Sequence, residues 1–465
     1  MLNPPKLKVR EEITEFPSLS APVPVMKPLL YDQFLEIFKQ EERMPWALSD
    51  YPHESFREES FIFNADSMEL LKLLPSNSVE SIITDPPYHI GDTKTKNKNS
   101  STGIMGLEWD GGDIAFRPEI WKECLRVLKP GGHMLTFGYS RNYHHLAMAI
   151  ENAGFEIRDT MMWIYTSAMP RSYDVSKSVK KSIEKNANGI TVSSWGNIDI
   201  SASITPEEFI EMFDGYGSKL KPCYEPIVMA RKPLSERTLV QNILKWGVGV
   251  ININKCRIEV QDKEIYENNM RGNERSRLME GELLNNLNGG YKQDSSPKLI
   301  PKGRWPGNII LADDFNEKYN KFFYCSKPSR KEKDEGLEDF YIDRSNKIFS
   351  NNRTFISRCK TCKLKIQANG KSICKCKNPV IDNSLSHYKN FHPTAKPVKL
   401  LKYLVQLITP EGGTVLDPFA GSSSLPKACL LLNEDYKFIA VEREEDYFHL
   451  SVARITAALK MRNLN

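Results

Sequence analysis

The chain has 465 residues, 40% of them hydrophobic and 26% charged, with a formal net charge of +5. This is ordinary globular composition, long enough for two domains or for one α/β domain with insertions. No apolar run approaches the roughly 18 residues of a membrane span. The basic start MLNPPKLKVREEITEF leads into no apolar stretch, which argues against a secretory signal and for a cytoplasmic protein.

Residues 1–55 are proline-rich and read as an N-terminal extension with one short helix near YDQFLEIFKQ. From Ser60 the pattern changes. SFIFNADS and SVESIITDPPY are short β-rich runs on either side of a helical MELLKLLP. RPEIWKECLRVLKP predicts a helix closed by a turn at Gly131-Gly132, and HMLTFGY a strand. NYHHLAMAIENAGF predicts a helix capped at Gly154. IRDTMMWIYT and EPIVMARKP predict two more strands, completing a unit over 56–235. The alternation lapses over 236–390, a region rich in Asn, Lys, Gly and Ser, and returns over 391–465. There PVKLLKYLVQLIT, SLPKACLLLN and YFHLSVARITAALK read as helices, and GTVLDPFAG and KFIAVE as strands. Alternating strands and helices predict a mostly parallel sheet covered on both faces, here split by a long insertion.

Charge and cysteine both concentrate in the insertion. Residues 321–380 hold 15 Lys/Arg against 6 Asp/Glu, an excess larger than that of the whole chain. Such a patch is either a polyanion footprint or a solvated, loop-rich face. Four of the nine cysteines, Cys359, Cys362, Cys374 and Cys376, follow the spacing C-x2-C-x11-C-x-C. Crowded thiols without an export signal favour a metal over disulfides. Four thiolates suit a tetrahedral structural zinc, which would fold a lysine-rich segment (359–376) that lacks a core of its own.

Two segments carry chemistry. The first is Asp85-Pro86-Pro87-Tyr88, at the carboxyl end of the strand VESIIT, where open α/β sheets gather their sites. An exocyclic base amine is a poor nucleophile because its lone pair is delocalised into the ring. Acceptors on its two hydrogens draw the nitrogen toward tetrahedral geometry. Asp85 supplies one acceptor and the Pro86 carbonyl the other, while Tyr88 offers a stacking face worth roughly 1–3 kcal/mol per base. The bland alternative is a strand followed by a turn, since Asp-Pro-Pro is good turn chemistry. The second segment is Asp417-Pro418-Phe419-Ala420-Gly421-Ser422-Ser423-Ser424, a strand entering a small-residue turn and then a helix. Small residues admit a ligand close to the backbone, and a helix start offers free N–H groups. Glu442, at the end of KFIAVE, is placed to take both hydroxyls of a ribose.

These motifs, with GIMGLEWD, YSRNYHHLAMAIENAGFEIRD, KPCYEPIVMARKPLSERT, GRWPGNIIL and HPTAKPVKLL, resemble the amino-methyltransferases of DNA in phage and bacteria. DPPY precedes the DPF turn, the order of the β class. The resemblance spans roughly residues 60–460. It implies a Rossmann-like S-adenosylmethionine-dependent methyltransferase fold with a seven-stranded sheet. It implies that Asp85, Pro86, Pro87 and Tyr88 hold the target amine. Asp66 would reach the cofactor adenine, and Thr394 and Lys396 would belong to a segment closing over the cofactor. Asp417, Phe419, Gly421 and Ser422 would surround its methionine part, and Glu442 its ribose. In one respect the chain departs from the family: Ser423 stands where a glycine is usual; serine is small, so cofactor binding is expected to be retained, and to weaken if that position needs positive φ.

The function so implied is site-specific methylation of N6 of adenine in double-stranded DNA, by direct transfer after base flipping. An Asp opening the first motif leans toward adenine in this family, and a Ser toward cytosine. The rival readings are N4-cytosine methylation, a catalytically silent DNA-binding relic, and methylation of RNA or of a protein glutamine. Residues 236–390 would read the target, their lysines and arginines mostly on phosphates. The chain is compatible with a homodimer, and a restriction endonuclease would be a separate protein. His144 and His145 read as surface or packing residues, Cys124 and Cys429 as core. Trp109 and Trp163 read as core more readily than as walls of a base pocket.

Overall fold

The computed structural model describes residues 53–89 (less 57–59), 112–166, 174–180 (less 179), 210–259 (less 212), 303–312, 322–337, 357–358, 365–366 and 390–464 (less 391). The helix expected near YDQFLEIFKQ, Trp109 and the four clustered cysteines lie outside the described residues.

One sheet organises the described residues. Its strands are β1 (His53–Ser55), β2 (Phe61–Asn64), β3 (Val79–Thr84), β4 (Leu128–Phe137), β5 (Glu156–Ile164), β6 (Tyr224–Arg231), β7 (Ile309–Leu311), β8 (Phe323–Tyr324), β11 (Thr414–Asp417) and β12 (Lys437–Glu442). A separate two-stranded ribbon pairs β9 (Ser357–Arg358) with β10 (Lys365–Ile366). The helices are α1 (Ser67–Leu73), α2 (Pro118–Val127), α3 (Tyr143–Asn152), α4 (Leu239–Trp246), α5 (Arg330–Asp334), α6 (Val398–Ile408), α7 (Ser424–Leu430) and α8 (Glu445–Leu464).

The main sheet runs β1-β2-β12-β11-β3-β4-β6-β5-β7-β8. Strands β2, β12, β11, β3 and β4 are parallel, while β6 is antiparallel to both its neighbours. The expectation of seven strands is therefore corrected to ten among the described residues, in a mixed sheet. The excess comes from short edge pieces, β1 at one end and β7 and β8 at the other. The last two arise inside 236–390, a region with weak periodicity, because strands of two or three residues are too short to show an alternation.

Side-chain alternation along the strands builds two cores. Ile83, Leu135, Val415 and Phe438 face α6, α7 and α8 through Leu404, Leu425 and Ile455. Their sequence neighbours Ile82, Met134, Leu416 and Ile439 face α1, α2 and α3 through Leu70, Trp121 and Ile150. Parallel strands buried on both faces explain the near-continuous apolar runs such as SIIT. Each fully buried Leu or Ile in these layers contributes roughly 1.5–3 kcal/mol.

Most helix ends match their sequence signals. Asp66 caps α1, accepting from the amides of Met68 and Glu69, and Gly154 follows α3 with φ of +106°. The glycine pair after α2 does something other than close a helix. Strand β4 already begins at Leu128 and runs through Gly131-Gly132. Gly131 N–H donates to the Lys232 carbonyl and Lys232 N–H to the Gly132 carbonyl. The register against β3 shifts here, so the glycines bend a strand, the role of a bulge. No described helix is long and apolar enough to cross a membrane.

Candidate active site

Strands β3 and β11 lie side by side in parallel, Leu416 opposite Ile82. Their carboxyl ends therefore bring Asp85 and Asp417, more than three hundred positions apart, to one edge. The Thr84 hydroxyl donates to Asp417 Oδ1 at 2.7 Å, which ties the two strand ends directly. The Ser67 hydroxyl at the start of α1 donates to the Pro418 carbonyl. A cavity of about 320 Å³ opens at this edge, and all twelve predicted catalytic and cofactor residues line it.

At the Asp85 end, Pro86 and Pro87 have no N–H to extend the ladder, so the chain leaves the sheet. Both oxygens of Asp85 have partners: Oδ1 accepts from the Tyr88 hydroxyl at 2.5 Å and Oδ2 from Lys396 Nζ at 2.5 Å. Lys396 is 7% exposed and also reaches Glu225 Oε2 at 3.3 Å. Its ammonium lies 5.3 Å from the Tyr88 ring centre and 4.9 Å from that of Phe137. Burial raises the pKa of Asp85, Lys396 opposes that shift and Glu225 adds to it. Burial alone would lower the pKa of Lys396, but the two carboxylates beside it outweigh this and hold the ammonium charged. Burial and the same carboxylates push the Tyr88 phenol well above its ordinary range, so it stays a neutral donor. The Tyr139 ring lies nearly parallel to that of Tyr88, 16° apart in plane and 6.5 Å between centres.

At the other end, Glu442 closes β12. Its Oε2 accepts from Gly421 N–H and its Oε1 from Glu444 N–H, both at 2.8 Å. These bonds fix the carboxylate and leave further lone pairs for a ligand. Burial, only partly offset by those two amides, pushes its pKa up to about 8. Burial likewise lifts Asp417 to about 7, against hydrogen bonds from Thr84 and the Phe419 amide. Gly421 has φ of +56°, and a Cβ there would come within 2.9 Å of His392 Nε2. That closeness lets the segment 392–396 lie over the turn, with the His392 ring edge-on to Tyr447. Ser423 does occupy the left-handed region, with φ 53° and ψ 47°. Its buried hydroxyl has no hydrogen-bond partner among the described residues.

The twelve residues thus meet in one cavity, but not all as the chain order suggested. Lys396, expected with Thr394 in a segment closing over the cofactor, lines the cavity beside it, and its ammonium sits on Asp85 and Glu225. The Ser422 hydroxyl accepts from Arg454 Nη1 at 2.9 Å. Arg454, buried beneath the turn, also bonds the Ser422 carbonyl and the Ser424 hydroxyl. Sequence reasoning passed over both Arg454 and Glu225. A signal for Glu225 existed: it is a carboxylate opening the apolar strand EPIVMA, and because β6 is antiparallel, its start shares an edge with the ends of β3 and β4. Trp163 is core, 2% exposed, donating to the Cys325 carbonyl. Cys124 and Cys429 are buried free thiols, and His144 and His145 are exposed.

A family model for DNA methylases, the N6/N4 methyltransferases, matches residues 79–453. The chain belongs to this DNA methylase family. Among its relatives is the Type II methyltransferase M.HindIII of Haemophilus influenzae, 27% identical over 221 residues, which are 42% of this methylase and 65% of that one. M.HinfI of the same species, also a Type II methyltransferase, is 30% identical over 117 residues, 23% of this chain and 32% of that one. The chain thus spans less than two thirds of the length of these relatives. In a crystal structure of an M1.HpyAVI–SAM complex, the overlap covers 85% of this methylase and 98% of that chain, at 15% identity and a TM-score of 0.34.

Proposed function

We propose that this methylase transfers a methyl group from S-adenosylmethionine to N6 of adenine in double-stranded DNA. The observation that carries the reading is the single cavity in which Asp85 and Tyr88 face Asp417, Gly421 and Glu442. Its volume falls within the ordinary range of ligand sites. The cofactor suits the wall at the Glu442 end. Two buried carboxylates stand there without an ion-pair partner among the described residues, and a glycine at positive φ opens the backbone. Glu442 would take the ribose hydroxyls, Asp66 the adenine, and Asp417, Phe419, Gly421 and Ser422 the methionine part, with Thr394 closing above. When bound, the cofactor supplies an electrophilic methyl on a sulfonium.

The remaining chemistry belongs to the chain. The target base swings out of the duplex to stack on Tyr88. Asp85 and the Pro86 carbonyl accept its two amine hydrogens and localise the nitrogen lone pair. With the amine held at the Asp85 end and the cofactor at the Glu442 end, these residues would position the reactants for transfer, which would supply most of the remaining acceleration. The methylated nitrogen then sheds a proton, and Asp85, whose pKa burial raises, is the acceptor in reach. Asp at the first motif position favours adenine over N4 of cytosine. One observation favours a silent relic, the left-handed Ser423 with its unpartnered hydroxyl. Incubating the protein with labelled methyl donor and DNA, RNA or protein, then mapping modified bases, tests all three. Label on N6 of adenine supports the reading; label on cytosine selects the alternative; tight DNA binding without transfer selects the relic. Zinc at Cys359, Cys362, Cys374 and Cys376 rests on their spacing and thiolate chemistry. Elemental analysis should find about one zinc per chain, and none would remove it.

A further inference from the structure

Asp85 is asked to receive an amine, yet each of its oxygens already holds a donor, and one of these is a buried ammonium. A carboxylate oxygen has lone pairs to spare, but a cation at 2.5 Å draws on the same electron density that must polarise the amine. Lys396 is therefore an obstacle unless it has somewhere else to go. Three acceptors surround its three protons: Asp85 Oδ2, the Tyr88 hydroxyl at 3.1 Å and Glu225 Oε2 at 3.3 Å. Glu225 is 17% exposed and is steadied from behind, its Oε1 accepting from the Tyr165 hydroxyl at 3.3 Å. The rings of Tyr88 and Phe137 confine the ammonium to the space between the two carboxylates.

We propose that Glu225 is a positioning residue for methyl transfer, sharing the buried Lys396 ammonium with Asp85 so that the lysine moves onto Glu225 as the target amine takes its place on Asp85. The inference rests on the methyltransferase reading above. Its physical basis is that a buried ammonium released from one carboxylate without a second is left an uncompensated charge, which is strongly unfavourable. With a second carboxylate in contact, the exchange replaces one ion pair by another. Tyr88 follows the same exchange, since its hydroxyl lies 2.5 Å from Asp85 Oδ1 and 3.5 Å from Glu225 Oε2. The titratable groups of this cluster are Asp85, Tyr88, Tyr165, Glu225 and Lys396; around it, Asp417 on β11 feels the Asp85 charge, His392 feels the Lys396 ammonium, and Tyr139 and Cys223 act on Tyr165.

The test is single-turnover methyl transfer to DNA with saturating S-adenosylmethionine. Glu225→Gln should slow transfer about 10- to 100-fold, the scale of a misplaced reacting group. Cofactor affinity by calorimetry should stay within about twofold, since Glu225 lies at the Asp85 end of the site. Because Glu225 helps raise the pKa of Asp85, its loss should also move the acidic limb of the pH–rate profile to lower pH, a change that mere loosening of the fold would not produce. The double variant Glu225→Gln/Lys396→Met removes the ammonium that would otherwise stay on Asp85; because Lys396 also opposes the rise in the Asp85 pKa, rates are compared above each variant's acidic limb, where the double variant should be faster than Glu225→Gln alone. Glu225→Asp keeps the charge, so it should fall between wild type and Glu225→Gln; it takes the place of Glu225→Gln if that variant fails to bind cofactor. Wild-type rates in the charge-removing variant, an unmoved acidic limb, or a double variant slower than the single overturns the proposal. Absence of transfer by the wild-type protein overturns the methyltransferase reading itself, a result distinct from an active wild type with an indifferent Glu225.

Discussion

The turns after β3 and β11 end neighbouring strands, and both begin with an aspartate followed by proline, yet they treat their carboxylates in opposite ways. Asp85 is held by a lysine and a tyrosine, with a second carboxylate nearby. Among the described residues, Asp417 and its companion Glu442 are met by a threonine hydroxyl and backbone amides, and burial lifts them to about 7 and about 8. Burial raises the pKa of both aspartates, but at Asp85 a buried lysine opposes the rise, whereas at Asp417 hydrogen bonds alone oppose it. The deciding partner at Asp85, Lys396, comes from a distant segment of the chain. What a motif residue does is set by the groups brought to it across the fold.

The sharpest break of this comparison is Asp85→Ala. It should cut methyl transfer by about 10³-fold, the scale of losing a preorganised polar group at the reacting centre, with cofactor affinity by calorimetry within about threefold. Comparable loss of both would mean that the two turns are one functional unit. Glu442→Ala should do the reverse, weakening cofactor affinity by about 10- to 100-fold, the worth of about two hydrogen bonds, while turnover at saturating cofactor falls less.

The same turn gives a pH signature. Folded Glu442 keeps its proton up to about pH 8, whereas a free glutamate releases it near 4.5. Between those values the folded state binds more protons than the unfolded one, so stability falls as pH rises. Asp417 adds to the slope up to about pH 7. Thermal unfolding of the cofactor-free protein should therefore show a declining midpoint from about pH 5 to pH 8. Glu442→Gln should flatten the upper part of that decline; an unchanged slope would argue against the buried carboxylate.

Smaller effects probe the link between the turns. Thr84→Val removes the hydroxyl that joins β3 to Asp417 and should destabilise the fold by about 1 kcal/mol, the net worth of one hydrogen bond, since the Phe419 amide still donates to Asp417 Oδ1. Denaturant unfolding measures this. Ser423→Gly should stabilise by about 1 kcal/mol, because a non-glycine residue in the left-handed region costs roughly 1–2 kcal/mol and glycine's greater freedom in the unfolded chain offsets part of the gain. A loss of stability on that change would show that the serine hydroxyl has a partner of its own.

Much of this architecture was legible in the chain. Alternating apolar runs located β2 to β6, β11 and β12 and the helices between them outside 236–390, where α4 and α5 were missed, and the order of the two motifs predicted which strand ends carry chemistry. Short pieces such as β7 and β8 were not legible, since two or three residues carry no period. The glycine pair in β4 misled because a strand bulge and a helix-closing turn ask for the same residue.

The sequence alone determined which residues were available at the site: the local pattern of burial fixes strand and helix, and motif residues sit where strands end. Only the tertiary structure decided their partners. It set Lys396 between Asp85 and Glu225, placed Arg454 beneath the turn at Ser422, and put β3 beside β11. Pairing of strands and of buried charges joins residues hundreds of positions apart. The free energy of such contacts depends on which faces are buried together, and no local window of sequence records that.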